Sequence, residues 1–270
     1  TVTRAAGFWY FNQPGAINAV GGNPLISGGT MQLRPAGGVN MPIDVASGAT
    51  LAISTVLAND SGAAGFQKTG GGVLTLSSAN TFTGNTTIGG GKLKLDTAGT
   101  IASSPTITVG AGTTFDVSTV TGGYTLGAAQ ALQGYGVVTG AVTASAGSLI
   151  IPGANGFAGT LIFTNNLTLA ANTTNLIDLS TATTIGSGVN DLVSVGGGLN
   201  PNGATIAINM IGTTTTGATY KVMGYIGSKA TSFGGVVSAT PDSGYTFSLD
   251  ESEGGLINVT VVTIGSNLVW

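Results

Sequence analysis

Short runs of β-branched and aliphatic residues recur from one end of this chain to the other, each closed by glycine or asparagine. Ala49–Val56, Val73–Ser77, Thr106–Val109, Thr113–Val117, Thr160–Phe163, Asn166–Leu169, Leu192–Val195 and Ala204–Ile208 are examples. Many alternate an apolar residue with Thr or Ser, the period of two expected of half-buried strands. The runs begin about 7 to 12 residues apart. That interval leaves no room for helices between them, and no segment carries a 3.6-residue apolar period. The chain reads as all-β.

Many short strands suit a sandwich or barrel, or a β-solenoid. Three features favour the solenoid. The turn signals are single or paired glycines rather than the Asn-Gly dipeptides of hairpins. The polar positions are Thr, Ser and Asn rather than Lys and Glu, as expected where equivalent residues stack turn upon turn. The apolar positions are Leu, Ile and Val with few rings, which suits a narrow coil interior. With a rung of about 20 residues, the 270 residues make about 13 rungs, and a strand spacing of about 4.8 Å gives a rod roughly 60 Å long.

The two ends depart from this pattern. Phe8-Trp9-Tyr10-Phe11 gathers four of the 17 aromatic residues. Residues 1–24 are therefore read as an aromatic N-terminal cap or assembly arm, and residues 25–218 as rungs. Residues 219–270 are richer in large side chains. Tyr220–Ile226 is followed by Tyr245–Asp250, the acidic Glu251-Ser252-Glu253 and Gly255–Val262. This is an antiparallel hairpin and tail capping the last rung, where an open strand edge would otherwise invite foreign strands.

Composition excludes whole classes of chemistry. There is no Cys and no His, so the sequence holds no thiolate nucleophile, no Cys/His zinc site and no Ser-His-Asp set. Lys and Arg total seven and the net charge is -3, which argues against binding nucleic acid through its phosphates. Gly, Thr, Ser or Asn interrupts every apolar run long before the roughly 20 residues of a membrane helix. An outer-membrane barrel for the whole chain is rejected, because aromatic girdles and lipid-facing strands of about 10 residues are missing. No basic, apolar signal segment opens the sequence, so a secreted form is expected to have lost one.

Residues 68–95 carry the most specific pattern: Lys68, Gly70-Gly71-Gly72, Leu74-Thr75-Leu76-Ser77, Asn80-Thr81-Phe82-Thr83-Gly84, Thr86-Thr87, then Gly91-Lys92-Leu93-Lys94-Leu95. Leu74, Leu76, Phe82, Ile88, Leu93 and Leu95 are the expected core of this repeat. Asn80 is placed where its side chain can bond neighbouring backbone. The segment closely resembles the autotransporter-associated β-strand repeat of bacterial passenger-type surface proteins. The resemblance covers about a tenth of the chain. It implies a single right-handed parallel β-helix, exported to the surface of a Gram-negative-type bacterium after signal-peptide removal. It assigns no catalytic residue, since the repeat is a scaffold element. Ser266–Trp270 reads in two ways: it resembles the opening of a further segment in such proteins, which would make the chain one part of a longer precursor, and a terminal aromatic also ends many outer-membrane barrel strands.

Candidate sites are few. Some β-helices cleave polysaccharides with clustered carboxylates, but here the ten acids are scattered and Arg4 and Arg34 are the only arginines. Asp250, Glu251 and Glu253 are read as a solvated hairpin tip. Asp178 and Asp191 could meet across neighbouring rungs, the minimum a glycosidase needs. Gly186–Leu192 has a Gly/Asp pattern seen in calcium-binding β-rolls, but it occurs once and reads better as a turn before a strand. Asn85-Thr86-Thr87 and Asn172-Thr173-Thr174 are weak glycosylation signals in a Thr-rich chain. Gly70–Gly72 and Gly196–Gly198 open no helix and are corners, not phosphate loops. No catalytic residue, metal site or cofactor is expected. The leading reading is a non-enzymatic extracellular structural protein that self-associates into a fibre, sheath or layer, with Phe8, Trp9, Tyr10 and Phe11 as the contact. An adhesin-like passenger binding glycans or host protein is the alternative, and a polysaccharide-active enzyme the third.

Overall fold

The structure, a computed structural model, describes residues 2–3, 8–10, 16–34, 40–186, 188–239 and 244–264, with backbone alone at 2–3, 8–10 and 263–264. Among the described residues there is no helix, and nearly all strand pairs are parallel. The chain forms two compact units. The first holds Thr1–Thr125, Gln130–Leu132 and Gly136–Ala141; the second holds Leu126–Ala129, Gln133–Tyr135 and Val142–Trp270. Each is a coil of stacked parallel strands, as the repeating short runs predict.

In the first unit, each turn places the same kind of residue inward. One column runs Leu51, Leu74, Leu93, Phe115 and Val138; a second runs Ile53, Leu76 and Leu95. Every member is at most 1% exposed. The period of two in each strand sends alternate side chains into the coil, and the parallel register sets them directly over one another. Leu74, Leu76, Phe82, Ile88, Leu93 and Leu95 all lie in this interior. Phe82 meets Phe66 edge to face at 5.4 Å, and Phe115 meets Tyr124 in the same way at 5.3 Å. Near residue 1 the coil is already regular. Val2–Thr3, Phe8–Tyr10 and Ile17–Ala19 pair in parallel with strands one turn further on. Phe11 lies outside the described residues, as do Ser187 and Ser266–Trp270.

The second unit has the same plan with longer turns. The strand Thr174–Leu179 pairs over its whole length with Thr205–Met210, which pairs with Gly235–Ser238. The last sheet then changes direction. Leu256–Ile264 runs antiparallel to both Thr219–Tyr225 and Tyr245–Asp250. This is the antiparallel C-terminal hairpin read from the sequence.

The length of a turn differs from the expected 20 residues. It is 19 between Val73 and Lys92 and 23 between Thr50 and Val73, but 32 between Thr160 and Leu192 and 31 between Thr174 and Thr205. The excess sits in the corner loop Ser180–Asp191, which both long turns contain. A corner is outside the ladder, so it grows without disturbing the stacked strands. The expected 13 rungs is therefore too many.

Leu76 is wholly buried in the first unit. Leu76→Ala should cost about 2–5 kcal/mol, the usual range for such a truncation. Denaturant unfolding followed by far-ultraviolet circular dichroism measures the loss. A cost under 0.5 kcal/mol would contradict the stacked column.

Candidate functional site

The repeat segment shows how polar residues serve this coil. Lys68 lies in an inward column, in register with Ile43 on one turn and Ile88 on the next. It is 0% exposed. Its ammonium donates to the carbonyl oxygens of Thr69 at 2.7 Å, Gly70 at 2.8 Å and Gly90 at 3.0 Å. Burial pulls Lys68 down to about 8, opposed by the negative charge of Asp44, so it remains a cation at pH 7. The carbonyls belong to glycine corners on two successive turns. Gly70 has φ +72°, and a Cβ there would collide with the Val45 carbonyl. The chain can therefore turn sharply, and Lys68 satisfies acceptors that no strand reaches.

Asn80 does the same at another corner. Its Oδ1 accepts from Leu57 N at 2.9 Å, and its Nδ2 donates to Ser78 O at 2.9 Å and Thr100 O at 3.0 Å. One amide thus ties three consecutive turns. Asn59 accepts from Ala64 N and Thr83 N. The sequence pointed to Asn80 as a backbone partner, but not to Lys68 or Asn59. The signal for Lys68 was its place two residues after Phe66, on the inward side of a strand.

Asp178 and Asp191 do come together, within one turn rather than across neighbouring ones, at the two ends of the loop 180–190. Both are 0% exposed. Asp191 accepts from Asp178 N at 2.8 Å and Gly159 N at 2.6 Å. Asp178 accepts from Gly156 N and from Asn209 Nδ2, each at 2.6 Å. Burial pushes Asp191 up to about 8. The N–H groups of Asp178 and Gly159 oppose the shift, and the Asp178 carboxylate adds to it. Asp178 is also raised by burial, against the donors on Asn209, Gly156 and Phe157. The pair staples the loops 153–159 and 180–191. It has no open face from which a sugar could be attacked.

The other candidates also have structural partners. Asn190 anchors the Gly186–Leu192 turn, accepting from Ser180 N and donating to Ala182 O and Thr184 O. Among the described residues, no three acidic side chains gather as a metal would need. The hairpin tip is not merely solvated. Glu251 pairs with Lys229 at 2.8 Å and accepts from Phe233 N at 3.1 Å, fastening the hairpin to the loop beneath. In the glycosylation triplets Thr86 bonds Ser104, and Asn172 sits at φ +65° in a turn.

Shallow cavities lie on both units among the described residues. One of about 250 Å³ is lined by Asn40, Thr83, Asn85 and Pro105 among others. One of about 160 Å³ is lined by Asn166, Thr168, Asn200 and Ser228 with small neighbours. Both present amides and hydroxyls and no charge.

Residues 66–95 match the passenger-associated-transport-repeat family. The match covers about one ninth of the chain and contains Lys68, Asn80 and Phe82. It indicates a surface-associated, passenger-type protein of a Gram-negative-type cell. No curated protein matches the chain.

Lys68→Met should destabilise the first unit, because an unpaired buried carbonyl costs about 1–3 kcal/mol. Lys92→Met removes a pair whose lysine side chain is 40% exposed and should cost about 0–1 kcal/mol. Equal losses in denaturant melts would refute the assigned role of Lys68. A second expectation concerns pH. The folded chain holds the Asp191 proton more tightly than the unfolded chain. Its contribution is full below the ordinary value of 3.8 and is lost as pH rises through about 8. The melting temperature should fall between about pH 5 and pH 8, and Asp191→Asn should flatten that fall.

Proposed function

We propose that this chain is a non-enzymatic structural segment of an extracellular surface protein, and that copies associate into a fibre, sheath or layer. The observation that carries this reading is the outer face of the coil. Thr87 stacks on Thr108, and Thr143 on Thr168, which stacks on Asn200. These ladders are hydroxyl and amide. A chain with 6% charged residues offers little repulsion between copies.

The contact proposed is the edge strand Phe8–Tyr10, together with Phe11, which lies outside the described residues. Phe8–Tyr10 is the outermost strand of a three-strand ladder with Thr30–Leu33 and Val56–Asn59. It contains none of the Lys or Pro residues that usually blunt such edges. The sealing of Asp178 and Asp191 supports the non-enzymatic part. A second reading, a passenger that binds glycans along its side, is favoured by the uncharged cavity at Asn166, Thr168 and Asn200.

Electron microscopy of the purified chain, with and without residues 1–12, tests the first reading. Ordered assemblies from the full chain and folded monomers from the truncated one are expected. Assembly that survives the truncation would remove the aromatic edge from the contact. Binding on a glycan array that is lost with Asn200→Ala would favour the second reading instead.

A further inference from the structure

The loop 153–159 places an Asn-Gly dipeptide against one of the buried carboxylates that staple it. Ala154-Asn155-Gly156-Phe157 is a two-residue turn, closed by Ala154 N donating to Phe157 O at 3.1 Å and Phe157 N donating to Ala154 O at 2.7 Å. Asn155 and Gly156 are exposed. The backbone N–H of Gly156 points inward and donates to the carboxylate Oδ2 of Asp178 at 2.6 Å. Asn-Gly is the dipeptide in which a side-chain amide and the next backbone nitrogen are least hindered. Gly156 has φ +86°, and a Cβ there would meet nothing within 4 Å. The step that limits attack by a backbone nitrogen is loss of its proton, and here a carboxylate accepts a hydrogen bond from that N–H and stands ready to take it.

We propose that Asn155-Gly156 is a self-modifying junction, with Asp178 as its general base. The Gly156 nitrogen attacks Cγ of Asn155 while its proton passes to Oδ2 of Asp178. The tetrahedral carbon then expels the side-chain nitrogen, which takes the proton back from Asp178 and leaves as ammonia. A five-membered succinimide remains between residues 155 and 156. One water molecule opens it at either carbonyl, leaving aspartate or isoaspartate. The net change is gain of water and loss of ammonia, and no other reactant is needed. Asp178 is held in place by Asn209 Nδ2 and by its own backbone bonds to Asp191, so the base does not drift from the turn. Burial raises its proton affinity, which favours a base over a spectator. Either product adds a negative charge beside a buried carboxylate pair. Isoaspartate also lengthens the backbone by one carbon inside a two-residue turn. The modification would loosen the staple between the loops 153–159 and 180–191, as a slow and irreversible clock on the second unit.

The chain carries its own control. Asn202-Gly203 is the same dipeptide in the same unit and is also exposed, but Gly203 N donates to the carbonyl of Ser232 at 2.9 Å, not to a base. The purified protein is incubated at neutral pH in ¹⁸O-water, and the two junctions are followed by peptide mass spectrometry. In the folded protein Asn155 should convert about tenfold or more faster than Asn202, since a positioned base is worth at least that much. In urea the two rates should converge. Asp178→Asn should slow Asn155 and leave Asn202 unchanged. Equal rates in the folded protein, or slower conversion at Asn155, would overturn the proposal without any variant. Faster conversion at Asn155 in Asp178→Asn would also overturn it, by showing that the hydrogen bond protects the junction.

Discussion

Everything in this protein rests on the parallel backbone ladder that holds each strand above its equivalent one turn earlier. Within a turn there is no sheet. A strand of three or four residues gains its backbone partners from the turn before and the turn after. The same register that pairs Val73 with Thr50 and Lys92 sets Leu74 over Leu51 and under Leu93. Backbone pairing and core packing are one event. A slip of one residue would turn each inward column out to solvent, which is why alternation is so regular in the strands and so loose in the corners.

The corners are where the coil must solve a harder problem. A chain that bends sharply between strands leaves carbonyl and N–H groups outside the ladder, and burial makes them costly. Side chains take over. Lys68 gathers three carbonyls, Asn80 joins three turns, and Asp178 and Asp191 gather backbone donors from the loop 153–159 and from Asp178 itself. Each is a group able to bond several partners, and each sits where neither neighbouring strand can reach. Buried charge here is a means of closing corners. A carboxylate pair that acts on an external sugar needs an open face as well, whereas Asp178 and Asp191 are wholly buried and turned to backbone donors.

The same economy bears on function. The interior is mainly aliphatic and several outer ladders are hydroxyl and amide, and charged residues are 6% of the chain. The proposed association through a strand edge draws on this scarcity of charge, since little electrostatic repulsion opposes it. The passenger-type repeat at residues 66–95 indicates a surface-associated location for such a coil.

The sequence by itself determined the class of fold. Period-two runs such as Val73–Leu76, closed by glycine and too closely spaced for helices, admit little other than stacked strands, and the hairpin around Asp250 was legible from its two alternating strands and acidic tip. The 28-residue repeat was legible because its glycines, its Asn80 and its leucines keep fixed distances. Tertiary structure alone decided what each corner does. That Lys68 joins a column of isoleucines depends on the next turn bringing Gly90 over Gly70. That Asp178 meets both Asp191 and Gly156 depends on two loops of unequal length closing on the same point. That Glu251 fastens the hairpin depends on where Lys229 emerges. The physical reason is the same in each case. Strand register is local and repeats along the chain, whereas a corner's partners lie one turn away at a distance that ranges from 19 to 32 residues, and no periodicity in the sequence records it.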